Sequence, residues 1–498
     1  MYSINEDEIK FEDSFNEELS KEIIDVIQKN NIKKIIFGSD FNESVEGLPN
    51  GITYLKFGKW FNKPICCDIE GHQNGCSCPS LLPKSITHIK FGKCFNQKIN
   101  NLPYGITHLK FSKLSVFNQP IMFKKNNFFG TSMEDGKSYA KNLTNSIKYL
   151  KFGVLFNESI DNLPDSLIHL EFSHFSEFNK PVDNLPMGIK YLIFGYCFNQ
   201  PIDNLPTSVT AIYFGNNFNQ PVDFLPNSLK CLVFEYNFNQ PVDNLPNSLS
   251  HLIFGNNFNQ PVDNLPNSLI YLVFGNNFNQ PVDFLPNNLT YLQFGTNFNQ
   301  PVDNLPNSLT HLTFGDKFNQ RVNNLPCNPA SLFSGNQPVK CKKGLRFFEH
   351  PLQDILNSWY ISLQNFELNS DFDNFNDFDN FYEFDGPGLT SLVFGNNFNQ
   401  LIDNLPTSVT CLFFGNNFNQ PVDNLPNNIT SLYFRRDFNQ NINNLPNSIK
   451  LLVLGELFNK IEDVIKIPDS LEILFIGPER IDFDDLVTSN LILHLFDN

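Results

Sequence analysis

Cys66, Cys67, His72, Cys76 and Cys78 fall within thirteen residues of the stretch CCDIEGHQNGCSC, and thiolate and imidazole are the ligands that zinc takes. A zinc site there would staple a loop too polar to pack by itself. The spacing matches none of the common finger patterns, and free thiols on a surface loop are the simpler reading. A second candidate is a column of carboxylates, Asp161, Asp183, Asp203, Asp223, Asp243, Asp263, Asp283 and Asp303, which would stack if the chain coils with that period. It suggests a cation ladder, but like charges in a row repel, and the same position carries Asn100, Asn323 and Asn443. Asn and Asp can both bond the backbone two residues on, so turn-capping is the expected role rather than calcium binding. No GxSxG, HExxH, P-loop or dinucleotide fingerprint occurs, so neither catalysis nor a cofactor other than zinc is expected.

The element that must position these residues is a repeat. From Phe178 to Phe318 a Phe-Asn pair returns every 20 residues, usually followed by Gln-Pro. Residues 245–264 read LPNSLSHLIFGNNFNQPVDN and residues 265–284 read LPNSLIYLVFGNNFNQPVDF. A short fixed period means a solenoid, in which each coil buries its apolar side only against its neighbours. Within one coil Leu249, Leu252 and Phe254 keep the LxxLxL spacing of a leucine-rich repeat, and Leu252 and Phe254 share the inward face of a strand. After a turn at Gly255, Phe258 re-enters the core and Asn259 is placed to bond backbone groups of adjacent coils. Pro261 and Pro266 bar a helix from the return arc. Strands are expected from the first residue of each unit, at Ile32, Ile52 and onward to Leu471, eighteen in all. Residues 14–29 pattern as a capping helix with Ser14 as N-cap and Glu17 three residues on, and residues 479–498 would close the other end.

The recurring LPxSLxxLxFGxxFNQPVDN resembles the FNIP repeat family, itself leucine-rich-repeat-like and known mainly from social amoebae and the giant viruses that infect amoebae. The resemblance covers roughly residues 32–327 and 387–478. It implies an all-β repeat solenoid: a right-handed, leucine-rich-repeat-like coil with one long parallel sheet, about 18 coils of about 20 to 22 residues and a short helical N-cap. The expected organisation is a cap over 1–31, repeats over 32–327, an insertion over 328–386, repeats over 387–478 and a cap over 479–498. Some members of the family join the repeats to an F-box or a kinase domain, which makes the repeats a recognition arm. Here about thirty residues precede the first coil, too few for an F-box, and the GxGxxG, HRD and DFG motifs of a kinase are missing.

Two columns should point away from the core. The third positions run Tyr54, His88, His108, Tyr149, His169, Tyr191, Ala211, Cys231, His251, Tyr271, Tyr291 and His311, so five of the nine histidines share one column. The fifth positions begin Lys56, Lys90, Lys110 and Lys151 and then turn apolar at Ile193, Tyr213, Val233, Ile253 and Val273. Aromatic and β-branched residues stack well across strands, which alone could explain the third column. Stacking does not explain four lysines in register in a chain of net charge −17. The two columns are therefore expected to form an exposed docking surface for a protein or peptide with an acidic segment and a hydrophobic anchor.

The acidic balance excludes nucleic acid as a partner, and no run of 18 apolar residues suggests a membrane span. The start, MYSINEDEIKFEDSF, lacks the pattern of a secretory signal, and ten irregularly spaced cysteines suit reduced thiols, so an intracellular, cytoplasmic protein is expected. Insertions at 66–80, 122–141 and 328–386 all leave on the return arc, so none should interrupt the sheet. The last contains a short amphipathic pattern over 350–366 and an acidic, aromatic run, DFDNFNDFDNFYEFD, over 371–385, which reads as an interaction segment. The functional expectation is a non-enzymatic interaction scaffold binding through its sheet face. The alternatives are a structural or redundant member of an expanded repeat family and, by analogy with F-box members, a substrate adaptor linked to ubiquitin ligation.

Overall fold

The computed structural model describes residues 2–65, 80–99, 102–121, 146–326, 388–460, 468–476 and 493–495. The cysteine cluster at 66–78, the 122–141 and 328–386 insertions and nearly all of the expected 479–498 cap lie outside these residues. The chain divides into two compact units, Met1–Leu249 and Ser250–Asn498. Among the described residues no helix is long and apolar enough to cross a membrane.

Each coil opens on a turn rather than a strand. The Leu249 N–H donates to the Pro246 carbonyl (3.0 Å), and Ser248 Oγ donates to the Leu229 carbonyl of the preceding coil (2.6 Å). The leucine that opens the LxxLxL pattern thus closes a turn, and the ladder begins two residues later than expected. The strands of the first unit are β1 (Tyr2–Asn5), β2 (Glu8–Phe11), β3 (Lys34–Ile36), β4 (Tyr54–Lys56), β5 (His88–Phe91), β6 (His108–Phe111), β7 (Tyr149–Phe152), β8 (His169–Phe172), β9 (Tyr191–Ile193), β10 (Ala211–Phe214) and β11 (Cys231–Phe234). Those of the second are β12 (His251–Ile253), β13 (Tyr271–Val273), β14 (Tyr291–Gln293), β15 (His311–Thr313), β16 (Ser391–Val393), β17 (Cys411–Phe413), β18 (Ser431–Tyr433), β19 (Leu451–Leu454), β20 (Ile473–Ile476) and β21 (Leu493–Leu495). β1 and β2 form an antiparallel hairpin, and from β2 on each strand of the first unit pairs in parallel with the next. The second unit is parallel throughout. β15 pairs directly with β16 although 328–386 intervenes, and the Phe318 and Phe398 rings stack at 6.1 Å.

The start of the chain departs from the expected cap. Ser20, not Ser14, caps the helix α1 (Lys21–Lys29), accepting the Ile23 N–H at 3.4 Å. The residues before it fold as a coil. Phe11 and Phe15 stack in the core with centroids 4.5 Å apart, and Asn16 Oδ1 accepts the Asn42 N–H (2.8 Å). FEDSFN at 11–16 has the same Phe-x3-Phe-Asn spacing as FGSDFN at 37–42. Burying the Phe15 ring against Phe41 wins over the helical pattern that runs through it.

Two stacks of phenylalanine fill each unit. In the second, Phe254 and Phe258 lie 3.7 Å apart within a coil, and their counterparts in the next coil follow at 5.7 and 6.1 Å. Each ring, buried almost completely, is worth about 1.5–3 kcal/mol in transfer from water. The coils approach so closely at the turn that a Cβ on Gly275 would lie 2.0 Å from the Gly255 carbonyl oxygen. Asparagine supplies the coil-to-coil bonds expected of Asn259, whose Oδ1 accepts the Asn279 N–H (2.9 Å), and Asn219 does the same for Asn239 in the first unit (2.9 Å).

Several aspartates of the column join this bonding. Asn204 Nδ2 donates to Asp183 Oδ1 (3.1 Å), Asn244 to Asp223 (3.0 Å) and Asn304 to Asp283 (3.0 Å). An amide donor one coil away takes the place of the backbone two residues on. Among the described residues no group of three or more His, Cys, Asp or Glu is arranged to hold a metal.

Candidate partner-binding face

Parallel in-register pairing places the expected columns side by side on β4 to β9. Lys56 faces Lys90, Lys90 faces Lys110 and Lys110 faces Lys151. Beside them the rings of Tyr54, His88, His108, Tyr149, His169 and Tyr191 stack with successive centroid distances of 6.2, 4.2, 5.8, 4.4 and 5.9 Å. Lys110 Nζ lies 4.5 Å above the Tyr149 ring, a cation–π contact that ties the two columns together.

Neighbouring threonines set the orientation of the histidines. Thr107 Oγ1 lies between the Thr87 carbonyl (3.2 Å) and His108 Nδ1 (2.9 Å). Thr87 is placed the same way between the Thr53 carbonyl (3.1 Å) and His88 Nδ1 (2.8 Å).

The face is less open than the sequence reading expected. His108, Tyr149 and His169 are buried, while Tyr54, Lys56, His88, Lys90, Lys110, Lys151, Tyr191 and Ile193 are half-buried. In the first unit Tyr213 and Val233 are only 3% and 2% exposed, and in the second Ile253 and Val273 are buried to the same degree. Side chains of this size, repeated at the spacing of adjacent strands, close the gaps between one another. The expected hydrophobic anchor surface is thus packed away, and the accessible part of the face is its basic, aromatic end.

Glu171 on β8 continues the lysine column, standing in register between Lys151 of β7 and Ile193 of β9, and its place is legible in the repeat spacing. Lys151 Nζ lies 2.5 Å from its Oε1, the Tyr149 hydroxyl donates to its Oε2, and His169 Nε2 stands off at 3.8 Å, beyond hydrogen-bond range. Burial alone would raise the Glu171 pKa, but the neighbouring His169 and Lys151 outweigh it and hold the carboxyl down at about 2. Burial, with His88 and Lys110 adding like charge, pushes His108 down to about 3, and burial lowers His169 as well. Neither of these two histidines gains charge near pH 6.5.

The cysteine set Cys66, Cys67, His72, Cys76 and Cys78 lies outside the described residues. The family model FNIP Repeat matches thirteen stretches of the chain: residues 30–59, 79–114 and 138–175, then overlapping windows from 178–217 to 298–335, and finally 387–417, 418–444 and 438–478. A crystal structure described as CroV588, a novel circular leucine-rich-repeat protein, is 35% identical and superposes with a TM-score of 0.67. That match covers 97% of this chain, which spans 65% of the other's length. YopM from Yersinia enterocolitica WA-314 aligns over 91% of this chain and 93% of its own, at 15% identity and a TM-score of 0.38. No curated protein matches in sequence. With repeat matches over most of its length and parallel coils stacked on phenylalanine and asparagine, the chain belongs to the FNIP repeat family, a leucine-rich-repeat-like scaffold.

Proposed function

We propose that this chain is a non-enzymatic recognition scaffold that takes an acidic segment of a protein partner on the basic, aromatic end of the β4–β7 face. The observation that carries the reading is the register of Lys56, Lys90, Lys110 and Lys151 on adjacent strands of a chain whose net charge is −17. Like charges directly opposite one another destabilise a sheet, so packing does not call for them, whereas an anionic ligand does. The acidic segment is assigned to Lys56, Lys90 and Lys110, with Tyr54 and His88 alongside. The same reading leaves out Tyr213, Val233, Ile253 and Val273, which are buried.

The test uses the triple variant Lys56→Glu, Lys90→Glu and Lys110→Glu with a fluorescein-labelled decaglutamate peptide. Lys151 is left in place, because reversal there would set a second carboxylate against buried Glu171. The wild type should bind the peptide, and more weakly as salt rises toward about 0.5 M, where exposed charges are screened within a few ångströms. The variant should lose about tenfold or more in affinity with its fold intact. Equal binding by both proteins would remove this face as the recognition surface.

A further inference from the structure

The turn edge next to the lysine column departs from the repeat in the same three coils. Gly-Asn-Asn is the recurrent turn, seen at 215–217, 255–257, 275–277, 395–397 and 415–417, but the turns after β4, β5 and β6 carry Lys59-Trp60, Lys93-Cys94 and Lys113-Leu114. The third is two residues longer, with SKLSV between Phe111 and Phe117 where GKW lies between Phe57 and Phe61. It closes on itself through the Ser115 N–H and the Ser112 carbonyl (2.8 Å). Backbone bonds stack the three turns: the Cys94 N–H donates to the Lys59 carbonyl and the Val116 N–H to that of Lys93, both at 2.9 Å. Lys59, Lys93 and Lys113 are exposed, and half of Trp60 (50%) and nearly half of Leu114 (46%) face water. Asparagine builds the shorter turn elsewhere, so the fold does not require a lysine or a tryptophan there.

The charge of these coils is as unusual as their turns. Residues 47–65 and 80–121 hold nine lysines and no aspartate or glutamate, in a chain with 35 basic and 52 acidic residues. In each coil the edge lysine follows the face lysine by three residues, Lys59 after Lys56, Lys93 after Lys90 and Lys113 after Lys110, so two basic rows run side by side across the coils. On this edge acidic residues return only at Asp40, in the coil before, and at Glu177, in the turn after β8. Lys59 Nζ lies 4.4 Å from the centre of the Trp60 ring, a cation–π contact that orients the indole. A single exposed apolar residue calls for no explanation. Two among three stacked turns, each beside a lysine and next to a basic sheet face, match the pairing of apolar anchor and charge by which interfaces select a partner.

We propose that this turn edge is the apolar half of the acidic-segment site, where Trp60 and Leu114 take two large apolar side chains of the partner that stand three residues apart among carboxylates. The proposal rests on the reading of the sheet face as a site for an acidic segment, and it adds the hydrophobic anchor that buried Tyr213 and Val233 cannot provide. Charge selects the occupant, because carboxylates beside the two anchors meet Lys59, Lys93 and Lys113, and a basic segment would be repelled. Geometry sets the spacing. The turns of Trp60 and Leu114 are two coils apart, about 10 Å at the separation of neighbouring strands. An acidic segment repels itself into an extended form, and in polyproline geometry residues i and i+3 share one face at a separation of about 9 Å.

The experiment is calorimetry of the full chain with the peptide Glu-Glu-Phe-Glu-Glu-Phe-Glu-Glu, its counterpart with alanine for both phenylalanines, and an isomer with the phenylalanines adjacent. The first should bind about tenfold more tightly than either of the others. Trp60→Asn, which restores the repeat residue, should abolish that preference while leaving the alanine peptide's affinity and the unfolding midpoint unchanged. The chain has two tryptophans, so in a Trp359→Phe background the emission of Trp60 should shift to the blue with the first peptide and not with the alanine peptide. The alanine peptide reports the sheet face alone. Its failure to bind refutes the face reading and this proposal with it, whereas equal binding of all three peptides, or an undiminished preference in Trp60→Asn, overturns this proposal and leaves the face reading standing. An anionic membrane would meet the same lysines and indole, so vesicles of phosphatidylserine and phosphatidylcholine in equal parts are the last ligand. A blue shift on vesicles that the phenylalanine peptide does not produce would overturn the proposal in favour of lipid.

Discussion

Glu171→Gln tests whether the buried charge at the end of the lysine column is a structural pair. Glu171 is 4% exposed and the Lys151 side chain 16%, so removing the carboxylate strands an ammonium that water hardly reaches. Breaking one side of a buried pair costs about 3–5 kcal/mol. A second route gives a similar size. A carboxyl held at about 2 rather than the ordinary 4.5 contributes about 3 kcal/mol at neutral pH. Because the folded pKa lies below the unfolded one, this stability is complete above about 4.5 and is lost as pH falls toward 2. Glutamine abolishes the dependence. A repeat array need not unfold in one step, so the readout should be local: hydrogen exchange at the Lys148 and His169 amides, which donate to Thr107 and Lys148 at 2.9 Å. At pH 7 the variant should lose protection at these amides by about 10²-fold, the factor that 3 kcal/mol implies. The difference should close as pH approaches 2, and amides of the second unit, such as Thr310, should keep theirs. A loss that is the same at every pH would refute the pair and leave only altered packing.

Two further outcomes follow from the same geometry. With His108 held at about 3, the unfolded chain takes up the proton first as pH falls below 6.5, so stability should decline by about 2 kcal/mol by pH 5. His108→Gln should flatten that decline in a urea-unfolding series, and a rise in wild-type stability on acidification would contradict the burial of the ring. Phe258→Ala should cost about 3–5 kcal/mol through the cavity left between Phe254 and Phe278. A loss under about 1 kcal/mol in the same assay would place Phe258 outside the core.

The coils themselves were legible because their period is rigid and their chemistry local. Phe254, Phe258 and Asn259 recur at one spacing, and each does in the structure what that spacing requires. The boundaries were less legible, because they depend on which of two local interactions wins. Leu249 could have opened a strand, but its N–H closes the turn with Pro246. Phe15 could have sat in a helix, but it stacks on Phe11 and Phe41. Burial of the outer face was not legible at all. Tyr213 and Val233 alternate as solvent-facing residues would, and only the packing of neighbouring strands shows that they are covered.

In a chain of near-identical coils, the informative residues are those the repeat does not need. Glu171 and Glu235 are both such departures, both carboxyls in the first unit, and both largely withdrawn from water. Their environments push them in opposite directions: His169 and Lys151 hold Glu171 down near 2 against its burial, whereas burial raises Glu235, beside His174, to about 7. Desolvation is common to both, so the difference lies in the donors. A carboxylate whose donors are supplied from its own sheet has a settled structural role.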